Sequence, residues 1–312
     1  MVSMTEAQKR FETLYHELGK IIVGQKDVIE QFLVAVLTNS HALVEGNPGL
    51  AKTTLIKALS DTLDLSFSRI QGTPDLLPSD VIGTYIIDES KGKREFKFQP
   101  GPVFANVVLV DEINRAAPKT QSALLEAMQE KQVTVGNSTY KLEEPFFILA
   151  TQNPIEQEGV FPLPEAQSDR FLFKIKISYP NYEEELEIIN RFTEGKAVTQ
   201  LKKVFDKDSI SSLQDLVRDM PIANDIKKYA LNVVAATREN KNLIEYGASP
   251  RASIGLILAA KARALVNGRK YVSKDDIQAM AYPVLRHRII LSFEAERQNM
   301  DEDAVIKQML KK

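Results

Sequence analysis

Cysteine is absent from the 312 residues, which removes disulfides, thiolate metal sites and a thiol nucleophile. Histidine is scarce. His16, His41 and His287 lie far apart without ligand-like spacing, so satisfied or surface histidines are expected. Net charge is also missing, because 40 Lys+Arg stand against 42 Asp+Glu, leaving −2. No broad basic field therefore advertises nucleic acid, although a local basic patch remains open. No apolar run approaches the roughly 18 residues of a membrane span. The opening stretch MVSMTEAQKRFETLYHELGK is charged and lacks an apolar core, so no secretory signal is expected and the cytoplasm is the expected compartment.

The rest of the composition is that of an ordinary globular chain, and the length suggests roughly two domains. Apolar spacing predicts an amphipathic helix over 5–19, with Phe11, Leu14, Tyr15 and Leu18 on one face, and a second helix over about 26–40. HALVE reads as a short strand, LSFSRIQG as another, VVLV as a buried strand and PFFILATQNP as a third buried one. RFLFKIKI alternates like a strand. PKTQSALLEAMQE reads as a helix with Pro118 near its start, where a missing N–H costs little. Two hairpins are expected, one across the turn signal Ser90-Lys91-Gly92-Lys93 and one around Gly136-Asn137. Strands alternating with helices argue for α/β architecture with a parallel sheet over 1–180. Past the turn signal Tyr179-Pro180-Asn181, helical patterns dominate 181–312.

Four groups of residues carry chemistry. EGNPGLAKTT (45–54) follows a strand and opens a helix, the context in which a phosphate-binding loop is credible. Successive N–H groups of such a loop wrap phosphate oxygens at a helix N-terminus. Lys52 then reaches the β- and γ-phosphates and Thr53 ligates Mg²⁺. Ala51 stands where the second glycine belongs, and it is expected at negative φ, where alanine is sterically allowed. The bland alternative is an ordinary strand-turn-helix joint. Asp111 and Glu112 end the VVLV strand, where ligands gather in parallel sheets. Asp111 suits the metal and Glu112 suits polarising the attacking water, against the alternative of a solvated strand end. Asn153 ends another strand and suits a γ-phosphate or water contact, although Asn-Pro is also a common turn. Arg170 and Arg251 are candidates for charge stabilisation in cis or from a neighbouring subunit. An isolated arginine is more often a surface or ion-pair residue. Ser249 is expected to cap the helix that Pro250 begins.

Taken together, the residues resemble the MoxR-type AAA+ ATPases, themselves similar to magnesium chelatase ATPase subunits. The likeness runs from IIVGQ (21–25) to RHRII (286–290) through EGNPGLAKTT, QGTPDLLPSDVIG (71–83), VDEINRA (110–116), ATQNP (150–154), PLPEAQSDRF (162–171) and GASPRA (247–252). Ala51 is what that family's loop looks like. Ser168 departs from it, since an apolar residue is usual there.

The resemblance implies an AAA+ P-loop NTPase core with a small all-α lid. It implies ATP/ADP and Mg²⁺ as cofactors. Val23, Gly24 and Gln25 would border adenine, and Gly46, Asn47, Pro48, Gly49, Leu50, Ala51, Lys52, Thr53 and Thr54 would form the loop. Thr53 and Asp111 would hold the metal. Glu112 would be the water residue, Asn153 sensor 1, Arg170 the arginine finger and Arg251 sensor 2. Inserted hairpins are implied near 84–103 and 131–144. So are a hexameric homo-oligomeric ring, a von Willebrand A-domain partner and a protein client undergoing maturation or cofactor or metal insertion.

Other classes remain in view. A nucleic-acid motor draws support from Lys91, Lys93, Arg94 and Lys97 against Glu95, and little from the net charge. A GTPase would need Asn-Lys-x-Asp, and Asn240-Lys241-Asn242-Leu243 lacks the Asp. A binding module without hydrolysis sits poorly with Asp111 and Glu112 together.

Overall fold

The computed structural model describes residues 3–88, 94–153, 160–193 and 200–311. Five strands build one sheet: β1 (Ala42–Glu45), β2 (Phe67–Gln71), β3 (Val107–Asp111), β4 (Phe147–Gln152) and β5 (Phe173–Lys176). Their spatial order is β2-β3-β4-β1-β5, and every neighbouring pair is parallel. The side-chain period of two sorts these strands to two cores. Ala42, Val44, Val107, Leu109, Phe147, Leu149, Phe173 and Ile175 face one cluster. Leu43, Val108, Val110, Ile148 and Ala150 face the other. Both faces are covered, which is why β3 and β4 read as nearly continuous apolar runs.

On the first face lie helices Met4–Leu18, Lys26–Leu37 and Lys52–Thr62, and the helices of the C-terminal part join the same buried cluster. Helix Pro250–Val266 packs on Lys26–Leu37 and on Lys274–Leu285. On the second face lies Pro118–Glu130, which buries Leu124, Leu125, Ala127 and Met128. Its Pro118 occupies the first turn.

Both expected hairpins form, as Gly83–Asp88 with Glu95–Pro100 and as Gln132–Val135 with Ser138–Lys141. The expected turn Ser90-Lys91-Gly92-Lys93 lies outside the described residues. The hairpins touch: the Tyr85 and Tyr140 hydroxyls are 2.8 Å apart, and Phe98 stacks on Tyr140 with ring centroids 4.0 Å apart. The C-terminal part is helical, as expected, with one addition. Ile244–Tyr246 and Ile290–Leu291 pair as a short antiparallel ribbon. Helices Lys207–Asp219, Phe293–Arg297 and Glu302–Met309 were not among the expected elements. Among the described residues no helix is long and apolar enough to cross a membrane.

Candidate nucleotide-binding site

Parallel strands put the carboxyl ends of β1, β2, β3 and β4 along one edge, and a cleft of about 360 Å³ opens there. The loop after β1 supplies Pro48, Gly49, Leu50, Ala51, Lys52, Thr53 and Thr54 to it. Arg69 and Gln71 come from β2, Asp111 and Glu112 from the end of β3, and Thr151 and Asn153 from the end of β4. A second, more apolar cavity of about 220 Å³ shares Gly49, Leu50, Ala51 and Thr54 with the first and adds Val23, Gln25, Ile177, Ile188 and Phe192. A polar cleft joined to an apolar slot matches the two ends of a nucleotide, phosphates and base. Gly24 does not line that slot; it lines a neighbouring groove with Tyr15 and Arg263.

The loop is shaped by left-handed backbone. Gly49 has φ +83°, and a Cβ there would meet nothing within 4 Å, so its bare face opens onto the cleft. Ala51 is at φ +53° and ψ +27°, not at the expected negative φ. It is the N-cap of Lys52–Thr62, and the chain must turn left-handed there to enter the helix. For an L-residue this conformation costs about 1–2 kcal/mol. Gln25 (φ +57°) and Glu112 (φ +54°) share it. Of the four such described residues that are neither glycine, Asn nor Asp, three border these two cavities: Gln25, Ala51 and Glu112. Strained backbone gathers where function requires a particular geometry.

Lys52 Nζ donates to the carbonyls of Gly46 at 2.6 Å and Asn47 at 3.2 Å, so the ammonium lies inside the loop. Burial pulls its pKa down, and the charges of Asp111 and Glu112 oppose that fall. Asp111 accepts from Arg69 Nε at 2.6 Å and from the Thr151 hydroxyl at 3.3 Å. Glu112 accepts from Gln71 Nε2 at 3.1 Å and Arg115 Nη1 at 3.2 Å, while its own N–H donates to Thr151 Oγ1 at 2.9 Å. Gly72 is a steric requirement of this arrangement, since a Cβ there would come 2.2 Å from the Glu112 carbonyl oxygen. Asn153 is buried at the cleft wall. Arg69, Gln71, Gly72, Arg115 and Thr151 escaped assignment from sequence. Gln71, Gly72 and Thr151 had a strand-end position as their signal, whereas Arg69 lies in mid-strand and Arg115 in the turn after Glu112.

The donor set fits Mg²⁺. Thr53 and Asp111 offer hard oxygens, and the described residues contain no group of three or more His, Cys, Asp or Glu that could cage a metal without help. Mg²⁺ is usually held by one or two protein groups together with substrate phosphates. The loop fits phosphate through its N–H groups, the helix start at Lys52 and the Lys52 charge.

Arg170 and Arg251 do not line the cleft. Arg170 lies in the turn between helix Glu165–Ser168 and β5, and its N–H donates to Gln167 O at 3.2 Å. Arg251 is exposed and donates to Asp169 Oδ2 at 3.1 Å. Ser249 is the N-cap residue expected, but its hydroxyl does not cap the helix; it donates to Asp169 at 3.1 Å.

Residues 41–173 match the family described as ATPases associated with various cellular activities (AAA), and 236–309 match the AAA lid domain. The chain is 45% identical to Chaperone MoxR1 of Mycobacterium tuberculosis over 96% of its own length and 80% of that protein. It is 30% identical to Protein MoxR of Methylorubrum extorquens, covering 96% of this chain and 93% of that one. A crystal structure of a candidate ATPase from Cytophaga hutchinsonii superposes with a TM-score of 0.92 at 45% identity, over 99% of this chain and 96% of the other. With a parallel sheet, a strand-loop-helix lysine and paired carboxylates at the end of β3, the chain belongs to the MoxR family of AAA+ ATPases and is an ATP-hydrolysing enzyme.

Proposed function

We propose that the protein is a chaperone-like remodeller that hydrolyses ATP with Mg²⁺ at sites completed between subunits of a homo-oligomeric ring, six-membered by family resemblance. Residues 1–180 form the nucleotide-binding domain and 181–312 the helical lid. Val23 and Gln25 border the base, with Gly24 shaping the turn between them. Gly46 through Thr54 cradle the phosphates, with Lys52 neutralising their charge. Thr53 and Asp111 hold Mg²⁺, which supplies charge neutralisation at the transferred phosphoryl group. Glu112 takes up the proton of the attacking water, and Asn153 orients that water. Arg170 and Arg251 act on the neighbouring subunit's site.

One observation carries this reading. The loop, the carboxylates and Asn153 share one cleft, while both arginines stand outside it, Arg251 bonded to Asp169 and Arg170 next to Asp169 in the chain. Phosphoryl transfer draws on an arginine supplied in cis or in trans. An arginine absent from its own cleft favours trans. The Tyr85–Tyr140 and Phe98–Tyr140 contacts support the two hairpins moving together as the part that meets a client. The description of the Mycobacterium relative as a chaperone supports a protein client. A von Willebrand A-domain partner follows from the family resemblance.

Mixing tests the shared site. Glu112→Gln and Arg170→Ala proteins are each expected to hydrolyse poorly. Combined at assembling concentration they should recover part of the activity, because some interfaces pair an intact cleft with an intact arginine. No recovery in demonstrably mixed assemblies would overturn the trans assignment.

A further inference from the structure

Arg288 stands outside the phosphate cleft and is only 8% exposed. An arginine has five N–H donors in a fixed fork, and here every one is used. Nε donates to Asp169 Oδ1 at 2.7 Å. Nη1 donates to the carbonyls of Leu172 at 2.8 Å and Val284 at 2.5 Å. Nη2 donates to the carbonyls of Phe171 at 2.6 Å and Asp169 at 3.2 Å. Four of the five acceptors therefore belong to residues 169, 171 and 172, on both sides of Arg170. The turn that carries Arg170 is wrapped around a guanidinium rooted in the lid.

Asp169 is shared. Besides Arg288 it accepts from Ser249 and from Arg251, both at 3.1 Å. A single carboxylate thus joins the Arg170 turn to two separate lid segments, the start of Pro250–Val266 and the stretch after Lys274–Leu285. A displacement of either segment moves the donors that hold the turn.

We propose that Arg288 is a positioning residue for ATP hydrolysis: it fixes the Asp169–Leu172 turn so that Arg170 is presented to the neighbouring cleft, and through Asp169 it ties that presentation to Arg251 and the lid. The proposal rests on the reading of Arg170 as an arginine acting in trans. Misplacing a reacting or stabilising group by about 1 Å can cost about 10²-fold in rate. Lysine cannot substitute for the fork. Its ammonium is a point charge with three donors, so at least two of the five acceptors lose their partner.

Steady-state hydrolysis by the full chain under assembling conditions tests this with R288K, R170A and the double variant. R288K is expected to lower kcat by about tenfold or more, with KM for ATP within about twofold, because the loop and base slot are untouched. The double variant should hydrolyse at the R170A rate, since a misplaced arginine and a missing one lose the same contact. If R170A is impaired and R288K keeps its kcat, the positioning role is wrong while the reading of Arg170 stands. A double variant slower than R170A by the full R288K factor also overturns the role, because the two residues then act independently. Normal hydrolysis by R170A removes the reading of Arg170 and the proposal with it. Should R288K melt below the assay temperature, D169N carries the same test. It keeps the side-chain volume, removes the charge facing Arg288 and Arg251, and should add nothing to an R170A/R251A variant, which lacks both arginines that Asp169 ties; an additive loss there overturns the role.

Discussion

Replacing Ala51 by glycine should make the nucleotide-free protein slightly more stable and leave its grip on ATP nearly unchanged. Ala51 sits at φ +53°, ψ +27° and is exposed, so its methyl group contributes no core packing. Releasing an L-residue from left-handed backbone returns about 1–2 kcal/mol. Glycine gives back about 0.4–1 kcal/mol of this through the freer unfolded chain. The net gain is about 0.5–1 kcal/mol. For a chain of 312 residues unfolding as one unit, an unfolding entropy of about 2.1 cal/mol/K per residue makes that a rise of roughly 1 °C in Tm. Ala51 already stands left-handed in the nucleotide-free loop, so closing on phosphate asks for no further change of that backbone, and affinity for ATP should stay within about twofold. Thermal melts without nucleotide and a fluorescent-ATP titration read the two effects separately. A clear drop in Tm for A51G would refute the reasoning, because it would mean the free loop does not hold Ala51 left-handed.

Other outcomes follow from single contacts. Lys52→Ala should abolish measurable ATP binding, checked by equilibrium titration, since the only side-chain ammonium inside the loop is lost. His41 is fully buried; its Nδ1 accepts from Ile148 N–H and its Nε2 faces Met128 O at 3.1 Å. Burial pushes its pKa down to about 4. The unfolded chain then takes up the proton first as pH falls. The stabilisation is full above about pH 6.5 and is lost toward pH 4, by about 3 kcal/mol in total. Urea midpoints should fall less steeply over that window in His41→Gln than in the unaltered protein. Asp276 is fully buried and accepts from Arg269, from Arg263 at 2.9 Å and from Ser273. Asp276→Asn should cost about 2–4 kcal/mol in chemical denaturation, allowing for the partial exposure of both arginines.

Much of the site was legible because its chemistry is local. A loop between a strand and a helix needs only contiguous residues, so EGNPGLAKTT could be read directly, and Asp111 and Glu112 announce themselves by following four buried apolar residues. Asn153 follows from the same strand-end rule. The hairpins were legible from alternation and turn residues. The sign of φ at Ala51 was not, because composition says alanine and only the path into the helix says left-handed. Helices Lys207–Asp219 and Glu302–Met309 were legible too, since Ile210, Leu213 and Val217 and then Val305, Ile306 and Met309 stand at helical spacing, although they were not among the expected elements.

The amino-acid order alone determined that this chain has a parallel α/β core, a phosphate loop, a carboxylate pair at a strand end and a helical C-terminal part. Those properties follow from period, strand-end position and short-range geometry. Tertiary structure decided where the arginines go. Asp169, Ser249, Arg251 and Arg288 come from segments about 80 to 120 residues apart and meet at one carboxylate. Neither their spacing nor their residue types foretell that meeting. It arises because the helices of the C-terminal part bury their apolar faces against the same core as the sheet, and this packing carries the polar ends of those helices onto the Arg170 turn.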